Sequence, residues 1–177
     1  VGGLWFGESS NATISNTIIY GNYHSDVGGG IFCRDSSNIS INNSVIRNNS
    51  SGNNGGGIYI TDSDCIIENA IIDNNSTQNN GGGIYIGATH PLISNTTITN
   101  SNISDNTSSS GGGIFLYYNN SLTLNGCELL NNNLLYDGGG GYGSAMKVNT
   151  TQDTDIAAEI IITNCLFSLN GSENVEN

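Results

Sequence analysis

Four acidic residues have a spacing that could carry chemistry. Glu8, Asp35 and Asp62 each stand four residues beyond an apolar residue, Leu4, Ile31 and Ile58, and Asp64 follows shortly after. If those apolar positions are equivalent, the carboxylates recur at one turn of a repeating chain. Paired carboxyl groups roughly 5–9.5 Å apart can hydrolyse a glycoside, and oxygens of this kind also suit a hard divalent cation. Any stack of equivalent turns brings carboxylates to that spacing, so the spacing selects neither chemistry. Stacked charges repel, which leaves two readings for Glu8, Asp35, Asp62 and Asp64: a set bridged by calcium, or turn acids spread into solvent.

Other reactive groups are sparse. Eliminative cleavage of a uronate needs a base beside the acid, and the only basic side chains besides histidine are Arg34, Arg47 and Lys147. Arg34 begins a turn of the second repeat and Lys147 lies four coils away, too far to cooperate, so they read as solvated charges. His24 and His90 have no Ser or Cys at a motif spacing and read as loop residues, His90 preceding the lone Pro91. Cys33, Cys65, Cys127 and Cys165 lack the close pairs of a zinc site. Cys127 and Cys165 do share one repeat position, two residues before Leu129 and Phe167. Neighbouring coils would bring their Cα atoms to about 4.8 Å, within disulfide range. A disulfide there is the alternative to a reduced inward ladder of small side chains, the role that Thr17, Ser44 and Ala70 would have in other coils.

The elements that must position these residues come from an internal repeat. Gly-Gly-Gly-Ile-aromatic occurs at 28–32, 55–59, 81–85 and 111–115, with degenerate copies at Gly2-Gly3-Leu4-Trp5 and Gly143-Ser144-Ala145-Met146. The apolar residues after the glycines stand at 4, 31, 58, 84, 114 and 146, at steps of 27, 27, 26, 30 and 32. A second signature, apolar-x-x-Asn, ends at Asn22, Asn49, Asn75, Asn106, Asn132 and Asn170. Upstream of it, Ile39 and Ile41, Ile67, Ile93, Leu122 and Leu124, and Ile160 and Ile162 read as a further strand. Gly, Asn and β-branched residues argue against helix. The prediction is an all-β, right-handed parallel β-helix, a single domain over 1–177. It has about six coils of three short strands, with repeats starting near 2, 28, 55, 81, 111 and 138. Six coils at strand spacing make a rod of roughly 30 Å.

Alternation assigns the faces. Leu4, Ile31, Ile58, Ile84, Ile114 and Met146 point inward, as do Phe6, Cys33, Ile60, Ile86, Leu116 and Val148. Between them Trp5, Phe32, Tyr59, Tyr85 and Phe115 point outward as one aromatic stripe, which is the candidate binding surface. Exposed apolar stripes of this size usually meet a partner. Platforms for sugars, burial against another chain, or rings stacked on one another for packing are the readings open at this point. The glycines suit a tight corner. Asn at the other corners can hydrogen-bond its equivalent in the next coil.

The two signatures together resemble the Gly-Gly-Ala-Ile and Phe-x-x-Asn repeats of the polymorphic outer membrane proteins. More broadly they resemble bacterial surface proteins with pectin-lyase-like β-helix regions. The resemblance covers residues 2 to 170, with Gly in place of Ala at five of six corners and Ile or Leu in place of Phe except at Phe167. It implies surface display, adhesion or a passenger stalk and carries over no catalytic residue.

Composition narrows the partners. Asn is the commonest residue, Gly follows with 25, and three basic residues face 15 acidic ones for a formal charge of -12. A phosphate backbone or anionic membrane surface would be repelled, and no apolar run approaches the roughly 20 residues of a membrane helix. The expected function is a non-catalytic extracellular or cell-surface structural or adhesive solenoid. Its partners would be flanking coils of the same solenoid or further copies stacked head to tail into a filament, since open strand edges invite continuation. A protein that binds or cleaves extracellular polysaccharide is the alternative, with glycans as partners and calcium as the one cofactor considered.

Overall fold

The computed structural model describes residues 2–89, 92–118, 120–135, 143–149 and 158–171. The chain winds as a right-handed parallel β-helix without helices among these residues. Sheet one stacks Leu4–Phe6, Ile31–Cys33, Ile58–Thr61, Ile84–Gly87, Ile114–Tyr117 and Met146–Asn149. Sheet two stacks Asn11–Ser15, Asn38–Asn42, Asp64–Glu68, Asn95–Thr99, Ser121–Asn125 and Glu159–Thr163. Sheet three stacks Ile18–Tyr20, Val45–Arg47, Ile71–Asp73, Asn102–Ser104, Glu128–Leu130 and Leu166–Ser168. Besides these three expected ladders there is a fourth, of two-residue strands, from Tyr23–His24 and Ser50–Ser51 to Asn133–Leu134. The expected start of the sixth repeat, near 138, lies outside the described residues.

The repeat positions pair in register: Leu4 with Ile31, Ile31 with Ile58, Ile58 with Ile84, Ile84 with Ile114, and Ile114 with Met146. Their inward side chains meet those of the second and third sheets, including Ile41, Ile67, Ile98, Leu124, Ile46, Ile72 and Ile103, all completely buried. Each isoleucine so buried contributes about 1.5–3 kcal/mol of apolar transfer. A thin core of one or two apolar side chains per strand is enough because every coil is covered by the next. One expectation fails here. Ile93 is not in a strand but 41 % exposed in the segment ahead of Asn95–Thr99. The longer fourth coil puts Thr96 opposite Cys65, and the inward slots go to Thr96 and Ile98.

The two sequence signatures interlock at one corner. Asn49, Asn75, Asn106 and Asn132 are buried, and each side-chain amide donates to the Oδ1 of the Asn one coil on, at 3.0–3.1 Å. A Cβ on Gly30, Gly57, Gly83 or Gly113 would stand 3.0–3.1 Å from those same amides and 2.4–2.7 Å from a carbonyl of the following coil. The third glycine of each triplet is therefore a packing requirement. The first, at 28, 55, 81 and 111, has φ between +62° and +68°.

Candidate functional site

The outward residues of sheet one form a column of rings. Centroids lie 6.4 Å apart for Trp5 and Phe32, 5.3 Å for Phe32 and Tyr59, 4.8 Å for Tyr59 and Tyr85, and 5.6 Å for Tyr85 and Phe115, with interplanar angles of 14° or less. Trp5 and Tyr85 lean over the residue two further along the chain. A Cβ on Gly7 would meet Trp5 at 2.7 Å and one on Gly87 would meet Tyr85 at 2.7 Å. In parallel stacking of this kind the faces cover one another, so the column offers solvent mainly its edges.

Exposure along the column is graded. Trp5 is 46 % exposed, Phe32 and Tyr59 are half-buried, and Tyr85 and Phe115 are buried at 8 % and 3 %. At the buried end Tyr117 packs against both rings, with centroids 6.5 Å from Tyr85 and 6.2 Å from Phe115, and Lys147 Nζ stands 5.6 Å over Phe115. Burial pushes the phenols of Tyr59 and Tyr85 up from the ordinary value.

Over the second and third coils the column is the floor of a cleft of about 460 Å³. Asp26, Asn53 and Asn54 form one wall, and Asp35, Asp62 and Thr89 the other. A smaller lobe of about 150 Å³ continues to Trp5 and His24. The far wall depends on the longer fourth coil, which brings Thr89 N to Asp62 Oδ1 at 2.5 Å. Asp26, Asn53 and Asn54 belong to neither repeat signature. They precede the glycine corner by a few residues, and only the coiling sets them beside the rings.

The four candidate calcium ligands do not converge. Glu8, Asp35 and Asp62 occupy left-handed corner positions with φ of 56°, 57° and 51°. The carboxylate of Asp35 is turned onto Arg34 Nε at 2.5 Å, and that of Asp62 onto Thr89. Asp64 opens a strand of sheet two and accepts both N–H groups of Asn95, backbone and side chain, at 2.9 Å. Among the described residues no three His, Cys, Asp or Glu side chains are grouped to hold a metal ion.

The basic groups are also engaged. Arg47 stands 3.9 Å from Asp73 on sheet three, beyond hydrogen-bonding range, and Lys147 donates to Ser110 Oγ at 3.0 Å. His24 Nδ1 lies 2.6 Å from Val27 O, and His90 is outside the described residues. Among the described residues no helix is long and apolar enough to cross a membrane.

Of the two readings open for Cys127 and Cys165, the structure has the reduced one, not the disulfide: all four cysteines are free. Both side chains repeat a serine pattern instead. Ser44 Oγ accepts from Thr17 N and donates to Asn42 O, and Ser101 Oγ accepts from Ala70 N and donates to Thr99 O. Cys165 Sγ likewise accepts from Cys127 N at 3.4 Å and donates to Thr163 O, while Cys127 Sγ donates to Ile98 O at 3.3 Å. Each sulfur is directed at backbone.

Cys33 and Cys65 are buried among isoleucines. Burial pushes the Cys65 thiol up to about 12, and burial followed by the nearby Cys65 raises Cys33. An unfolded thiol ionises near pH 8.5, so above that value the folded chain holds protons that the unfolded chain has released. The stabilisation is complete below about pH 8.5 and is lost as pH rises through about 12. The urea midpoint is accordingly expected to fall between about pH 8 and pH 10, and to fall less in Cys65→Ala. A pH-independent midpoint would contradict thiols held protonated.

The model of a family described as right handed beta helix region matches residues 29–176. Neither a curated protein nor a solved structure matches the chain.

Proposed function

We propose that this chain, which belongs to the right-handed β-helix family, is a non-catalytic structural or adhesive module of an extracellular or cell-surface solenoid. The family includes enzymes and non-enzymes, so membership leaves catalysis open and the argument falls to the side chains. The observation that supports the reading most is where the polar groups are directed. The buried Asn ladder, the Ser and Cys rungs, and the carboxylates of Asp62 and Asp64 all bond from coil to coil. Arg34 is held by Asp35. Groups committed in this way stiffen the rod and are not poised to exchange protons with a substrate.

Every ladder repeats by translation, so another coil, from the same solenoid or from a second copy, would continue all four sheets. Stacking of that kind extends the rod without new chemistry. Incubation with polyuronates and neutral polysaccharides is expected to release no unsaturated products and no new reducing ends. Product formation that scales with protein concentration would overturn the non-catalytic reading.

A further inference from the structure

We infer that the cleft over Phe32 and Tyr59 is a binding site for a neutral, hydroxyl-rich glycan. The chain itself indicates what fits this corridor. Gly7, Arg34, Thr61, Gly87 and Tyr117 occupy one column beside the stacked rings, two residues beyond each of them. Where the column residue is Tyr117, its own amphipathic ring rests against Tyr85 and Phe115, and those rings are buried. Where it is Arg34 or Thr61, no such ring among the described residues fills the space, and a cleft of about 460 Å³ stays open over half-buried aromatics. A ring with an apolar surface and a hydroxyl is the group that the same face receives two coils away.

The walls select which ring. Acceptors predominate: the Asn53 and Asn54 amide oxygens already accept from Asn79 and Asn80, but the carboxylates of Asp26, Asp35 and Asp62 each have a second oxygen beyond the one bonded to Asn53, Arg34 and Thr89, against the single Arg34 guanidinium. A ligand rich in hydroxyl donors satisfies such a rim, while its C–H surface lies on the apolar ring edges. A uronate would meet three carboxylates with a single guanidinium already paired to Asp35, and its charge would be repelled. A tyrosine of a protein partner carries one hydroxyl and would leave most of the rim desolvated without partners. The smaller lobe at Trp5 shares Asp26, Phe32 and Arg34 with the main cleft, so the site runs along successive coils and suits a chain of sugars.

This site does not depend on the non-catalytic reading: product formation would overturn that reading and leave binding intact. Isothermal titration of the whole 177-residue chain with neutral hexasaccharides of glucose, xylose and mannose is expected to show saturable binding of at least one. Oligogalacturonate should bind at least tenfold more weakly. Asp26→Ala and Arg34→Ala alter exposed side chains, and each should weaken binding at least fivefold with the melting profile retained, whereas Tyr20→Ala, on another sheet, should not. Four results would overturn the proposal: no neutral glycan bound at millimolar concentration, uronate bound more tightly, affinity unchanged in both cleft variants, or a tyrosine-bearing peptide bound in preference.

Discussion

Asn75→Ala is expected to cost about 3–6 kcal/mol of stability, a large share of what a domain of this size possesses. The Asn75 side chain has no solvent exposure. Its Oδ1 accepts from the backbone N and the Nδ2 of Asn49, and its Nδ2 donates to Ile46 O and to Asn106 Oδ1. Truncation leaves two donors of Asn49 and one carbonyl buried without partners, at about 1–3 kcal/mol each before relaxation. Asn75→Asp keeps the shape and tests the chemistry, because its second oxygen would face Ile46 O and Asn106 Oδ1 with no proton to offer at neutral pH. It should be at least as damaging as alanine. Asn74→Gly, one residue away at an exposed corner with φ of +54°, should change stability by only a few tenths of a kcal/mol. Urea unfolding followed by far-ultraviolet circular dichroism compares the three. Equal midpoints for Asn74→Gly and Asn75→Ala would mean that the ladder contributes nothing beyond its neighbours.

The legible part of this fold is the part written as a translation. Ile31, Ile58, Ile84 and Ile114 could be placed inward and in register because the same pentapeptide returns at each, and alternation then fixes the ring column. The Asn signature was equally visible, but as a corner residue. That Asn49, Asn75, Asn106 and Asn132 lie wholly inside follows from glycine carbonyl and Asn amide sharing one space. Ser50–Ser51 and Ser76–Thr77 have no apolar alternation, so the fourth ladder had no signal.

Departures came where the translation breaks. Extra residues in the fourth coil offered Ile93 as the nearest apolar candidate, whereas the core accepted Thr96. The same insertion brings Thr89 to Asp62 and so makes a wall of the cleft. The rung shared by Cys127 and Cys165 was correctly located, yet the direction of each sulfur is a rotamer choice. Ser44 and Ser101, which use that rung to bond backbone, were the available guide to it. Alternation puts the aromatic stripe on one face, but its burial at one end depends on Tyr117 lying back over the rings, which spacing does not encode.

The glycine triplets give the sharpest separation between conformational and steric demands, and Gly56→Ala is expected to be among the most damaging single methyl additions in the chain. Gly56 does not have a positive φ, so alanine is conformationally acceptable there. A Cβ, however, would lie 2.4 Å from Ser76 O and 2.5 Å from Gly82 O. Both are backbone atoms, Ser76 at the close of the same repeat and Gly82 at the start of the next, and relief requires coils to move apart along ladders that hold many bonds. Overpacking that rotamers cannot absorb costs about 1–3 kcal/mol or more, and with ladder bonds stretched on each side we expect about 3–5 kcal/mol. Gly21→Ala isolates the opposite case. Gly21 has φ of +67° with nothing within 4 Å of a Cβ, so only the left-handed penalty of about 1–2 kcal/mol applies. Gly21→Asn should recover most of that, since Asn48 and Asn74 occupy equivalent corners at φ of +53° and +54°. Thermal unfolding of the three variants should rank Gly56→Ala well below Gly21→Ala, with Gly21→Asn near the parent chain. If Gly56→Ala instead melts with Gly21→Ala, the coils are not in contact at this corner, and the triplet serves turning alone.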